Sequence, residues 1–137
     1  MNIIVLDDSF TVRMIIESFL EDLGVHDDEI HSFENALHAL EYIEKNGADL
    51  IFSDIHMPEM DGYEFATALF KKRKDLQKVF FAISGDETRE SYKKMKEIGV
   101  HRFLRKPIDS IHFNHFVQQE IEKYRNSENL STSDTIR

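Results

Sequence analysis

The sequence predicts an α/β fold in which five parallel strands form a single doubly wound sheet. Short apolar runs of strand length alternate five times along the chain with segments whose apolar residues recur at helical spacing. Such an alternation is typical of a parallel sheet with helices packed on both of its faces. Because the crossovers between parallel strands are right-handed, we expect the carboxyl ends of all the strands at one edge of the sheet.

The first half of the chain supplies three of the predicted strands and two of the helices. The strands are expected over residues 3–6, 29–33 and 50–53. Ser9 is a candidate N-cap for the first helix, which Gly24 would end as a C-terminal cap. The second helix begins near Ala36 and stops near Gly47. The third strand has the apolar character of a strand buried on both faces, and it runs directly into Asp54.

The second half supplies two strands and three helices. The strands are expected over residues 79–83 and 101–104, the helices around residues 65–69, from about Glu87 to Ile98, and after Pro107. One face of the last helix carries Phe113, Phe116, Val117, Ile121 and Tyr124, and the first three of these are expected in the core. From residue 125 the chain is polar, so we expect one domain over residues 1–124 and a disordered tail over 125–137.

Composition narrows the possible functions. The chain contains no cysteine, which excludes disulfide bonds, thiolate chemistry and cysteine-ligated zinc. No apolar stretch approaches the roughly 18 residues of a membrane span, and the N-terminal apolar run meets Asp7-Asp8 at once rather than a secretory signal pattern. We therefore expect a cytoplasmic protein without membrane insertion. A formal net charge of −9 argues against binding to nucleic acid.

Polar residues follow four of the strands, and the predicted topology brings them to the same edge. They are Asp7, Asp8, Asp54, Ser84 and Lys106. Carboxylates crowded into one small site repel each other unless a cation intervenes, and Mg²⁺ prefers such oxygen ligands. With Mg²⁺ bound, a free oxygen of Asp54 can attack a phosphoryl group to form an aspartyl phosphate. Lys106 and Ser84 can then contact the phosphoryl oxygens.

Each of these residues also has a plainer interpretation. Asp7-Asp8 could complement a helix dipole, and Asp54 and Ser84 could be turn residues. Lys106 could be a solvated surface lysine. The convergence of all of them on one edge favours a site. By contrast, we interpret His112 and His115 as a solvated helix face rather than a metal site, and the basic run 71–74 as a solvated helix end or, alternatively, a docking patch.

The motifs as a set resemble the receiver domain of bacterial two-component response regulators, over residues 1 to about 124. They are Asp7-Asp8, the segment Asp54-Ile55-His56-Met57-Pro58-Glu59-Met60-Asp61-Gly62, Ser84-Gly85 and Lys106-Pro107. The resemblance implies a flavodoxin-like sheet of order 2-1-3-4-5 and phosphorylation of Asp54 by a histidine kinase or a histidine phosphotransfer protein. It implies that Asp7, Asp8, Asp54 and the backbone carbonyl of His56 hold Mg²⁺. It also implies that Ser84 and Lys106 contact the phosphoryl group and that the Lys106-Pro107 bond is cis.

The same resemblance implies a switch rather than a turnover enzyme. Phe103 stands where the family keeps a switch aromatic, often Tyr, and Phe offers no hydroxyl to a partner. Autodephosphorylation is expected, as is a stand-alone, chemotaxis-regulator-like protein whose output passes to another protein, unless the chain is part of a longer regulator. The expected readout surface is the fourth helix, fifth strand and fifth helix, including Tyr92, Lys96, Arg102 and Phe103.

Two other functions stay open at this point. One is a constitutive interaction module whose phosphoacceptor site is intact but unused. The other is an Asp-dependent phosphatase of the haloacid dehalogenase type. That family places a second acid two residues after the nucleophile, where this chain has His56.

Overall fold

A computed structural model describes residues 1–85 and 88–136, with side chains as far as residue 127. The strands are β1 (Ile3–Leu6), β2 (Ile30–Phe33), β3 (Leu50–Asp54), β4 (Phe80–Ser84) and β5 (Arg102–Arg105). The α-helices are α1 (Phe10–Asp22), α2 (Ala36–Asn46), α3 (Gly62–Lys72), α4 (Arg89–Glu97) and α5 (Ser110–Ile136). Two short 3₁₀ segments, Asp27–Glu29 and Lys74–Val79, lead into β2 and β4.

The strands form one parallel sheet in the order β2-β1-β3-β4-β5, which confirms the predicted fold and topology. The expected start of α4 near Glu87 lies outside the described residues. Within the described part of the chain, none of the helices has both the length and the apolar character needed to span a membrane.

The helices begin at polar caps that the sequence supplies. The side chain of Ser9 accepts a hydrogen bond from the backbone N–H of Val12 (3.3 Å), as predicted. Asn35 and Thr88 cap α2 and α4 in the same way. Asp61 and Glu64 form a reciprocal capping box at the start of α3. These caps fix where each helix leaves the loop that follows a strand.

Two hydrophobic cores lie on the two faces of the sheet. Successive strand residues alternate between them, as the period of a strand requires. Ile3, Val5 and Phe52 pack with α1 and α5, whereas Ile4 and Ile51 pack with α2, α3 and Met95 of α4. The central β3 is buried along its whole length, as expected of a parallel strand covered on both faces.

Two expectations for α5 differ from the structure. Phe113 and Val117 are fully buried, but Phe116 is 48% exposed, so its predicted place in the core is wrong. The buried stripe follows an i, i+4, i+8 line through Phe113, Val117 and Ile121, and Phe116 falls beside that line. The helix also continues past residue 124 to Ile136, where we expected a tail. Each residue added to an existing helix gains a backbone hydrogen bond without a new nucleation cost. The division at residue 124 remains a prediction.

Gly62 at the start of α3 lies against the backbone at the end of β3. A Cβ at this position would meet the carbonyl oxygen of Asp54 and lie 2.8 Å from Cα of Ile55. The backbone N–H of Gly62 also donates to the carbonyl oxygen of Ile55 (2.8 Å). Only glycine allows this approach, which ties the start of α3 to the residue after Asp54.

We predict that Gly62→Ala destabilises the protein by about 2–3 kcal/mol, because the added methyl group overpacks a buried backbone contact. This is opposite in sign to the gain of about 1 kcal/mol that helix propensity alone would give. Urea denaturation measures the effect. Ala68→Gly, in the same helix, is the control for propensity. A Gly62→Ala variant as stable as the wild type would contradict the close approach.

Candidate functional site

The carboxyl ends of four neighbouring strands bring the predicted site residues together at one edge of the sheet. Asp7 and Asp8 follow β1, and Asp54 ends β3. Ser84 ends β4, and Lys106 follows β5. The order β1-β3-β4-β5 places these positions side by side. The structure therefore confirms that these residues lie at the edge predicted from topology.

The acidic cluster, formed by Asp7, Asp8 and Asp54, lies at the centre of this edge. One carboxylate oxygen from each residue lies within 4.8 Å of the others. Asp7 and Asp54 are buried, with only 0% and 3% of their surface exposed, whereas Asp8 is exposed. The site therefore has two carboxylates inside the protein and one at its mouth.

Lys106 bridges the two buried carboxylates. Its Nζ lies 3.2 Å from Oδ2 of Asp7 and 3.3 Å from Oδ2 of Asp54. The contact with Asp54 also has the geometry of a hydrogen bond, whereas the buried Oδ2 of Asp7 is held by Lys106 as an ion pair. An ionised carboxylate can accept several hydrogen bonds. Oδ2 of Asp7 is thus a buried oxygen with spare capacity for a ligand.

Backbone groups fix the other oxygen of each buried carboxylate. The N–H of Ser9 donates to Oδ1 of Asp7 (2.8 Å), and the N–H of His56 donates to Oδ1 of Asp54 (3.3 Å). A guanidinium nitrogen of Arg13 also donates to the backbone carbonyl of Asp7 (2.6 Å). These contacts hold both carboxylates with Oδ2 toward Lys106.

Burial and mutual repulsion change the ionisation of the site. Burial, together with the charge of Asp7, raises the pKa of Asp54 to about 6, against the opposing effect of Lys106. Burial likewise raises the pKa of Asp7, although Ser9 and Lys106 oppose it. Burial alone would lower the pKa of Lys106, but the charges of Asp54 and Asp7 outweigh it and the pKa lies above its ordinary value.

The acidic cluster fits a hard divalent cation. Its donors are all carboxylate oxygens, which Mg²⁺ prefers, and the buried Oδ2 of Asp7 is held by its ion pair with Lys106 alone. A bound cation would also relieve the repulsion that raises the pKa of Asp54. The backbone of His56 lies beside Asp54 through its N–H. Coordination by the His56 carbonyl remains a prediction.

Ser84 joins the site to α4 through a contact that the sequence analysis did not foresee. The hydroxyl of Tyr92 donates to Oγ of Ser84 (2.8 Å). The ring of Tyr92 in turn packs edge-on against Phe103, with centroids 5.1 Å apart. We expected Tyr92 and Phe103 on a readout surface but assigned neither to contact with Ser84. The two residues are eight positions apart, and this spacing does not predict their contact unless the position of α4 is known.

The remaining polar candidates lie apart from this site and have local partners. Nδ1 of His112 lies 2.6 Å from Oδ2 of Asp109, and both side chains are exposed. In the basic run at the end of α3, Lys72 pairs with Glu44 (2.7 Å) and Arg73 pairs with Asp75 (3.0 Å). These contacts are those of solvated helix surfaces.

Comparison with known proteins identifies the family of this chain. Residues 3–118 match the family model of the response regulator receiver domain. The chain is 34% identical over 110 residues to the cyclic di-GMP phosphodiesterase response regulator RpfG of Xanthomonas campestris, covering 79% of this chain and 28% of RpfG. It is 32% identical over 123 residues to the sensor histidine kinase CheAY of Helicobacter pylori, covering 88% of this chain and 15% of CheAY. The chain thus spans less than a third of either relative.

A solved structure shows the same fold. The chemotaxis protein CheY4 of Vibrio cholerae superposes with a TM-score of 0.75 at 24% identity, covering 86% of this chain and 96% of CheY4. At this identity the likeness shows the shared architecture.

We predict that Asp54→Asn stabilises the magnesium-free protein near neutral pH by about 2 kcal/mol. The raised pKa means that folded Asp54 holds its proton more tightly than unfolded Asp54 does. Its contribution to the free energy of unfolding is therefore present below about pH 4 and lost as the pH rises through about 6. Asparagine does not ionise, so the Asp54→Asn variant does not lose this free energy of unfolding as the pH rises. Denaturation with a chelator present, from about pH 4 to about pH 7.5, measures the difference.

The control for this prediction is Asp28→Asn, which removes one negative charge from an exposed position outside the site. It should change stability little at any pH in this range. Equal gains for both variants would attribute the effect to net charge instead of to the acidic cluster.

Proposed function

The chain belongs to the response regulator receiver domain family, and from that premise we propose that Asp54 accepts a phosphoryl group from a phosphohistidine donor. Receiver domains of this family interact with histidine kinases or phosphotransfer proteins. The observation that carries the proposal is the pairing of Asp54 with Lys106 (3.3 Å) inside the acidic cluster. A nucleophilic carboxylate, a fixed cation and two further oxygen ligands are the groups that phosphoryl transfer to an aspartate needs.

The proposed reaction is a direct transfer from nitrogen to oxygen. A carboxylate oxygen of Asp54 attacks phosphorus, an O–P bond forms and the N–P bond of the donor breaks. The electron pair of that bond returns to the imidazole nitrogen, which takes up a proton. Above about pH 6 most of Asp54 is ionised and able to attack. The backbone N–H of His56 donates to Oδ1 and restricts the orientation of the carboxylate.

Lys106 and Ser84 are the proposed contacts of the transferred group. Lys106 already lies between the two buried carboxylates, so its ammonium can follow the negative charge from Asp54 to the phosphoryl oxygens. Ser84 lies one strand away, and its backbone carbonyl accepts the N–H of Lys106 (2.6 Å). That bond holds the two residues together across β4 and β5.

Mg²⁺ is the proposed cofactor, held by Asp7, Asp8, Asp54 and the backbone carbonyl of His56. When bound, it would supply charge neutralisation for the oxygens of the incoming phosphoryl group. Ser9 and Arg13 hold Asp7 in place through its carboxylate and its backbone carbonyl. Asp8, at the exposed mouth of the site, completes the carboxylate set from the solvent side.

The proposed product is a signal rather than a released compound. Autodephosphorylation by water returns the switch to its starting state. The readout surface is formed by α4, β5 and α5, with Tyr92, Lys96, Arg102 and Phe103, and a downstream protein is its partner. The phosphatase alternative has no acid two residues after Asp54, where the exposed side chain is His56. Whether Asp54 becomes phosphorylated distinguishes a switch from a constitutive interaction module.

We predict that a small-molecule phosphoryl donor such as acetyl phosphate adds one phosphoryl group to the protein only when Mg²⁺ is present. Asp54→Asn should abolish this addition, because the amide keeps the shape of the carboxylate but lacks a nucleophilic oxygen. Intact-mass spectrometry at acid quench measures the product, and Asp28→Asn is the control with the same change in charge.

If the Asp54→Asn variant gained a phosphoryl group at the wild-type rate, the phosphoacceptor would be a residue other than Asp54. Failure of the wild type itself to gain a phosphoryl group, with donor and Mg²⁺ in excess, would contradict the proposed function and favour the constitutive module.

A further inference from the structure

Tyr92 contacts two residues of different function at once. Its hydroxyl donates to Oγ of Ser84 (2.8 Å), at the carboxyl end of β4. Its ring meets the ring of Phe103 on β5 with a centroid distance of 5.1 Å and an interplanar angle of 62°. Tyr92 lies in α4, so one side chain of this helix connects the phosphoacceptor site with the surface strand β5.

The direction of the hydrogen bond determines what Ser84 can do. A serine hydroxyl has one proton to donate and two lone pairs to accept. Because Tyr92 supplies the proton in this bond, Ser84 keeps its own proton for another acceptor. Ser84 is only 1% exposed, so bulk water competes little for that position. A chain in which one hydroxyl donates to the next also polarises the second one and strengthens its donation.

We propose that Tyr92 is a positioning residue for Ser84: its hydroxyl orients Oγ so that Ser84 donates to the phosphoryl group on Asp54. This inference rests on the proposed function. It extends that function by naming the residue, and the helix, that hold Ser84 ready.

The contact between Tyr92 and Phe103 extends the connection from Ser84 to β5. Phenylalanine has no hydroxyl, so Phe103 itself makes no hydrogen bond to Ser84. The ring of Tyr92 supplies the link instead, because it touches Phe103 while its hydroxyl touches Ser84. Tyr92 therefore contacts Ser84 with its hydroxyl and Phe103 with its ring at the same time.

The test is a double-mutant cycle on the binding of beryllofluoride, a phosphoryl mimic, in the presence of Mg²⁺. Tyr92→Phe keeps the ring and its contact with Phe103 but removes the hydroxyl. We expect about fivefold weaker binding of beryllofluoride by titration calorimetry, the size of one lost neutral hydrogen bond. In a Ser84→Ala background, Tyr92→Phe should cause no further weakening, because the residue it positions is gone.

Tyr42→Phe is the matched control. The hydroxyl of Tyr42 donates to Oδ1 of Asn2 (3.0 Å), a half-buried hydrogen bond of similar length on another helix. Its loss should lower the melting temperature and leave the affinity for beryllofluoride unchanged. A spectroscopic readout accompanies the titration: the tyrosine Cζ signal of Tyr92 should shift in Ser84→Ala, even without ligand.

The outcomes separate the two claims. Wild-type protein that binds no beryllofluoride would overturn the proposed function and this inference with it. Wild type that binds, with Tyr92→Phe binding equally well, would overturn the positioning role alone. An equal loss from Tyr92→Phe with and without Ser84 would also overturn it, since the effect would then be a general one on structure.

Discussion

Lys106 faces two buried carboxylates, and this imbalance of charge is the constraint on which the site depends. One ammonium lies 3.2–3.3 Å from Oδ2 of both Asp7 and Asp54, and Asp8 adds a third carboxylate at the mouth. Burial first, and then the repulsion between the two carboxylates that Lys106 only partly offsets, raise the pKa of Asp54 to about 6. The same excess of negative charge attracts a divalent cation. Once such a cation is bound, the site can also accept a negatively charged phosphoryl group. The parallel sheet serves this arrangement, because the carboxyl ends of its central strands bring residues far apart in sequence together at one edge.

Short contacts connect the residues around Asp54 with the surface of the protein. Lys106 and Ser84 share a backbone hydrogen bond across β5 and β4, which ties the ends of the two strands together. Tyr92 connects Ser84 to α4 and, through its ring, to Phe103. Gly62 fixes the opposite side of Asp54 by packing the start of α3 against its backbone. The site is thus tied to α3 through Gly62 on one side and to α4, part of the proposed readout surface, through the hydroxyl of Tyr92 on the other.

The sequence was sufficient to predict the sheet, the order of elements and the edge where the polar residues meet. Apolar runs that stop at Asp7, Asp54 and Ser84 marked three strand ends, and topology placed those ends together without any distance. Contacts between helices and strands were harder to predict from the sequence. Helical spacing grouped Phe116 with Phe113 and Val117, but only packing showed that the buried line runs through the other two. The partnership of Tyr92 with Ser84 and the need for glycine at position 62 depend on how α4 and α3 lie against the sheet, which no local pattern encodes.

The charge imbalance is tested most directly by a carbon NMR titration of the Asp54 carboxyl group, with and without Mg²⁺. Without Mg²⁺ the midpoint should lie near pH 6, well above the ordinary value for an aspartate. With excess Mg²⁺ the midpoint should fall far below that, because the cation favours the ionised form. A midpoint near the ordinary value in the metal-free protein, or one that does not respond to Mg²⁺, would contradict a site that is short of positive charge.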